Sequence, residues 1–181
     1  MRRFPAEAQL DRIAAATGLS DEVIDRLAET VAAAHAAAAP RPDLGGLAAM
    51  REIAQGNRAD LDAAVPAVFD AEAVRELDRR TEAMLARHGP LLDQRRAEGR
   101  VRHCHGDLHL ANIVLLEGRP VLFDCIEFDD GFACIDVMYD LAFLLMDLIE
   151  KGHRPAAVRL LNGWLERTGD HAGLALLPLD R

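Results

Sequence analysis

The strongest constraint on this chain is a change of period at Val101. Before it, apolar residues recur at helical spacing. After it come short β-prone runs. Residues 5–16 read as an amphipathic helix ending at Gly18. Ser20, with Asp21 and Glu22 behind it, is a good N-terminus for a second helix reaching Ala38, and Pro40 and Pro42 close it. A shorter helix over residues 47–55 is expected to stop at Gly56 and Asn57. A long one over residues 71–88 is expected to break at Gly89 and Pro90, with Gly99 ending the remainder. Residues 113–116 and 121–123 are apolar and β-prone, and residues 117–120 have turn composition, which predicts a buried hairpin. Helices resume over residues 136–150 and 154–167, with a break at Gly152. The expectation is one predominantly helical α+β domain over residues 1–181: helical over 1–99, a loop and hairpin over 101–126, and helical again over 132–170. The apolar tail over residues 173–181 has no evident partner.

Composition removes several functions. The chain is half apolar and about a quarter charged, which suits an ordinary globular core, and its net charge of -9 opposes nucleic-acid or anionic-membrane partners. The three cysteines, Cys104, Cys125 and Cys134, are odd in number and set among apolar residues. They are expected to be reduced and mostly buried. No apolar run approaches a membrane span, since the longest, residues 141–146, meets Asp147. The first residues lack the apolar core of a signal peptide, so a cytoplasmic location is expected.

The segment with chemical content runs over residues 103–124. Asn112 and Asp124 are equidistant from Gly118, so a turn centred there sets them opposite each other, where paired Cβ atoms lie about 5 Å apart. An amide oxygen and a carboxylate brought together in this way suit a hard cation such as Mg²⁺. Asp107, on the loop feeding the first strand, is then free to orient an attacking hydroxyl and take its proton. A zinc site is the chemical rival, because His103, His105, Asp107 and His109 crowd three imidazoles and a carboxylate into one stretch. That would make the protein a hydrolase.

The strings HGDLHLANI (from His105) and VLFDCIEFD (to Asp129) resemble the catalytic loop and metal-binding strand of aminoglycoside phosphotransferases and the wider protein-kinase-like family. The resemblance implies the C-terminal lobe of that fold. It also implies transfer of the ATP γ-phosphate to a hydroxyl or amine of a small molecule, with Mg²⁺ and ATP required. Carried over where residues match, it makes Asp107 the catalytic base and His105 the histidine buttressing the loop. Asn112 and Asp124 become the Mg²⁺ and cofactor ligands. Cys125 and Ile126 stand where the related kinases have Phe and Gly, which argues against a mobile phenylalanine switch. The stretch from Asp136 to Ala142 is similar to the family's D-x-x-x-D-L-A helix, whose aspartate braces the catalytic loop through backbone N–H groups. Asp140 is the expected brace.

The family's nucleotide-binding lobe has no counterpart in this sequence. Lys151 is the only lysine and lies downstream of Asp124, no glycine-rich phosphate loop is present, and the residues before His105 read as helices. The protein is therefore expected to be incomplete or inactive as this chain alone. It would be a fragment of a two-lobed kinase, a chain completed by a missing N-terminal lobe or partner, or a non-catalytic kinase-like binding module. His35, His88, His153 and His171 show no partner. Trp164, Phe143, Met146 and Leu148 read as core.

Overall fold

A computed structural model of the protein describes residues 4–177. It is mostly helical with two small antiparallel sheets. A 3₁₀ turn at Ala6–Ala8 precedes α1 (Leu10–Thr17) and α2 (Asp21–Ala37). Ser20 caps α2 as expected, its hydroxyl accepting from the Val23 N–H at 3.3 Å. Then come α3 (Gly46–Ala63) and α4 (Ala71–Ala97), followed by the strands β1 (Val101–His103), β2 (Ile113–Leu116) and β3 (Arg119–Leu122). A single turn α5 (Asp130–Ala133), the strand β4 (Cys134–Asp136), α6 (Val137–Glu150), α7 (Arg154–Thr168) and a 3₁₀ segment His171–Leu176 complete the described chain.

The core is built where α2, α6 and α7 pack together. Ile24, Leu27 and Val31 of α2 meet Leu141, Leu144 and Leu148 of α6 and Leu160 and Trp164 of α7, all essentially inaccessible. Each set follows the three- or four-residue spacing of one helical face. Burial of each such side chain contributes about 1.5–3 kcal/mol. Leu174, Leu176 and Leu177 pack on the same cluster, so the apolar tail finds its partner there; residues 178–181 lie outside the described chain.

Three helices differ from expectation, the first starting only at Leu10 because Gln9 is extended and bridges Val114. α3 runs through Gly56 and Asn57 because that face is exposed and Gly56 meets nothing, leaving only a propensity cost of about 1 kcal/mol. α4 runs through Gly89 and Pro90. Gly89 is needed for close approach, since a Cβ there would stand 2.7 Å from Leu47 Cδ2 of α3. Pro90 faces solvent, where water can satisfy the carbonyl its missing N–H leaves free. Contacts of Leu47 with Gly89, and of Arg58 with Asp78, show that α3 and α4 run antiparallel.

The hairpin forms, but its turn is tighter than expected. Glu117 and Gly118 alone make the turn, with φ of 50° and 75°, so Arg119 and Pro120 join the second strand. One of its faces is covered only in part, as Leu116 and Val121 on it are 39% and 41% exposed while Val114 beside them is buried. The other sheet pairs β1 with β4, Val101 opposite Asp136 and His103 opposite Cys134, a pairing not foreseen. The cysteines are free, with Cys104 and Cys134 buried and Cys125 exposed, contrary to the expectation of apolar surroundings for it. No helix among the described residues is long and apolar enough to cross a membrane.

Candidate active site

The loop between β1 and β2 is held at three points. At its start, the Gly106 N–H donates to Asp140 Oδ1 of α6 at 2.9 Å. Farther on, the Leu110 N–H donates to Asp147 Oδ2, two turns along the same helix, at 2.8 Å. At the hairpin's open end, the Ile126 N–H donates to the His105 carbonyl at 2.9 Å. Gly106 has φ 81°, and a Cβ there would come within 3.0 Å of the Phe132 carbonyl oxygen, so the path of the loop requires glycine.

His105 locks the loop to the hairpin. Its Nε2 lies 2.8 Å from the Phe123 carbonyl, and its Nδ1 accepts from the Asp107 N–H at 3.3 Å. A carbonyl can only accept, so the proton is on Nε2 and the ring is neutral. His105 thus bonds backbone on both sides of it, Phe123 of the hairpin and Asp107 of the loop.

Asp107 is half-exposed. Its Oδ2 accepts from Asn112 Nδ2 at 3.0 Å and lies 3.4 Å from His109 Nε2. Among the described residues nothing bonds to its other oxygen. Asn112 is buried, and its amide nitrogen also donates to the Asp107 carbonyl at 3.0 Å. With two acceptors of Asp107 in front of it, that atom must be the nitrogen, which leaves Oδ1 free of hydrogen bonds among the described residues.

The expected pairing of Asn112 with Asp124 is corrected. The two-residue turn puts Ile113 opposite Leu122, so Asn112 faces Phe123, whose N–H donates to the Asn112 carbonyl at 3.1 Å. Asp124 lies one residue beyond, exposed, with φ 61° bending the chain there. A one-residue slip moves a side chain to the other face of an extended strand, and a left-handed residue is where such a strand can redirect itself.

The crowded histidines do not form the zinc constellation. His105 has both nitrogens committed to backbone, His103 lies 3.9 Å from Asp130, and His109 lies beside Asp107 and Asn112. Among the described residues the ligand-atom groupings are instead His35–Cys104–Asp140 and His103–Asp130–Cys134. In the second, Arg41 already bonds Asp130 at 2.9 Å and Cys134 at 3.4 Å.

A family profile decides between a phosphotransferase and an unrelated helical protein: that of the phosphotransferase enzyme family, APH, matches residues 1–177. The chain belongs to this family. It is also 28% identical, over 179 residues and 97% of its length, to uncharacterized proteins of Mycobacterium bovis and Mycobacterium tuberculosis. The chain spans 36% of the length of these relatives.

In this phosphotransferase-family chain, several residues that matter to the site were illegible in the sequence. His35 of α2 is 5% exposed, with Nε2 2.9 Å from Asp140 Oδ2 and Nδ1 3.1 Å from Trp164 Nε1. Indole N–H only donates, so His35 Nδ1 accepts and Nε2–H points at Asp140. A line of buried hydrogen bonds therefore runs from Trp164 through His35 and Asp140 to the Gly106 N–H. Asp136 serves differently, binding Arg95 through both oxygens at 2.8 Å and capping α6 at the Met138 N–H. Cys104 lies against the His35–Asp140 pair, and burial pushes its thiol well above the ordinary range. Asp147 also pairs with Lys151, so the only lysine is engaged beside the loop between β1 and β2. Asp129 caps α5 at the Gly131 N–H, 2.7 Å away.

Proposed function

We propose that this chain is the catalytic lobe of a kinase-like phosphotransferase that passes the ATP γ-phosphate to a hydroxyl of a small molecule. The observation that carries the reading is the Asp107–Asn112 pair, joined by two hydrogen bonds and clamped to α6 by Asp140, in a chain of phosphotransferase ancestry. In this reading Asp107 orients the acceptor hydroxyl with its unbonded oxygen and takes the proton as the oxygen attacks phosphorus. The bond from the γ-phosphorus to the bridging oxygen breaks, and ADP leaves. His105 keeps the loop in register, and Asn112 holds the carboxylate from behind, so little reorganisation is needed when the acceptor arrives.

The donor chemistry fits Mg²⁺. Asn112 Oδ1 and the exposed Asp124 carboxylate are hard oxygen donors free of other partners among the described residues, and such a cation needs only one or two protein oxygens beside phosphate and water. When bound, Mg²⁺ would neutralise charge on the phosphates. The nucleotide-binding lobe is proposed to come from outside these 181 residues, since neither two-stranded sheet among the described residues carries a glycine-rich loop.

Two measurements test the reading. Titration with Mg²⁺ should shift the side-chain amide signal of Asn112 in this chain and not in Asp124→Ala. With a nucleotide-binding lobe supplied, Asp107→Ala should reduce acceptor-dependent ATP consumption by about 10²-fold or more. Activity surviving that substitution would remove Asp107 from the role of base.

A further inference from the structure

Between the α3–α4 pair and α6 lies a cleft of about 500 Å³. Its walls are Met50 and Ile53 of α3, Leu77, Met84 and Leu85 of α4, and Tyr139, Phe143 and Met146 of α6. Tyr139 and Phe143 meet edge to face at 5.2 Å. Leu77, Met84 and Met146 are 51%, 40% and 51% exposed, so these large apolar side chains open onto the space instead of closing it. Met146 in particular is not the core residue its spacing suggested. The volume is that of a small-molecule site, and such sites combine apolar walls with a few placed polar groups.

The polar groups present narrow the ligand. Arg80, Thr81 and His88 lie along the α4 wall. The one carboxylate in the lining, Asp136, has both oxygens taken by Arg95 and one also by the Met138 N–H. A polycation would thus enter a largely apolar cleft whose lining offers it no free anion, which desolvation makes unfavourable. An uncharged or weakly anionic compound has no such penalty.

The cleft also stands in register with the candidate site. Asp140 and Asp147, which hold Gly106 and Leu110, lie seven residues apart on one line of α6. At about 100° per residue, Tyr139, Phe143 and Met146 face roughly 60–120° round the helix from that line. Gly131 lines the cleft, and its neighbour Phe132 abuts Gly106, the residue before Asp107. The catalytic loop and the cleft are therefore built on adjoining faces of one helix.

We infer that this cleft holds the apolar body of the acceptor, and that the acceptor is an uncharged or anionic aryl or alkyl hydroxyl compound, not a polycationic aminocyclitol. The designation of the cleft as an acceptor site rests on the phosphotransferase reading; its preference for apolar over cationic ligands does not.

The test is binding to the 181-residue chain by ligand-observed NMR and calorimetry, with 4-phenylbutanol as the neutral hydroxyl probe and kanamycin as the polycationic one. Saturable binding of 4-phenylbutanol is expected, weakened about tenfold or more when the cleft is filled by Ala142→Trp, with kanamycin failing to compete. Ala49→Trp fills it from the opposite wall and serves if the first variant loses its helical circular dichroism. Absence of saturable 4-phenylbutanol binding, binding unchanged in a folded filled variant, or displacement by kanamycin would each overturn the inference. The assay needs neither ATP nor transfer. A phosphotransferase reading that failed for want of transfer would leave this result standing.

Discussion

At the scale of single residues, the candidate site depends on groups whose partners are fixed by donor and acceptor arithmetic. Gly106 is the sharpest case, because its positive φ and the nearby Phe132 carbonyl both exclude a Cβ. Gly106→Ala should cost about 1–2 kcal/mol from the left-handed backbone alone, read as a lower urea midpoint. It should also weaken any transfer activity by moving Asp107. Trp164→Phe keeps an aromatic ring but removes the N–H that His35 Nδ1 accepts. A buried acceptor left unpaired costs about 1–3 kcal/mol, so a loss in that range is expected, together with a shifted His35 ring signal by NMR. An unchanged His35 signal would show that the line from Trp164 to the loop is not formed in solution.

At the scale of elements, α4 is fastened to the body of the protein by one buried cation. Arg95 is 1% exposed and binds Asp136, at the start of α6, and Asp170, just after α7, at 2.6–2.8 Å. Burial works against its charge, but the hydrogen bonds it donates to the two carboxylates outweigh it and raise its pKa. Removing one member of such a set leaves charge buried without a partner, so Arg95→Ala should cost about 3–5 kcal/mol in urea unfolding. Arg79, Arg75 and Arg159 also form ion pairs, but on exposed helix faces where solvent and salt screen them. Arg159→Ala should therefore change stability far less, and the contrast between the two variants measures what burial adds.

At the scale of the whole molecule, the same network sets the response to acid. Burial pulls the Asp170 carboxyl upward, yet hydrogen bonds from Arg95 outweigh it and hold it below the ordinary carboxylate range. A group depressed in the folded state stabilises the protein above its unfolded pKa, near 4, and that contribution disappears as pH falls through the folded value. The urea midpoint should therefore show no Asp170-dependent change between pH 7 and 5 and decline below about pH 4, with a smaller decline in Asp170→Asn. Asp25 and Asp43 are lowered by Arg159 and Arg41 in the same sense, but both lie at the surface, where solvent and salt screen the effect. The chain covers 36% of the length of its mycobacterial relatives, so activity is a property to be measured with the remainder of such a protein in place.

What the sequence determined by itself is what depends on near neighbours. Ser20 caps α2 through a residue three positions on, the hairpin turns at Gly118, and Asp107 and Asn112 meet because they are five residues apart on one loop. The resemblance of its stretch to the D-x-x-x-D-L-A helix also pointed to Asp140, which accepts from the Gly106 N–H. The register between Asn112 and Asp124 was misread because a two-residue and a three-residue turn have similar compositions and differ by one position in pairing. Only the tertiary structure decided the rest. It joined His35 to Asp140 across 105 residues and to Trp164 across 129, set Arg95 between Asp136 and Asp170, and paired β1 with β4. It also let α3 and α4 pass through Gly56 and Pro90 and left the cleft open beside them. Capping and turn geometry act within about four residues and can be read locally, whereas a buried polar group takes whichever partner packing brings to it.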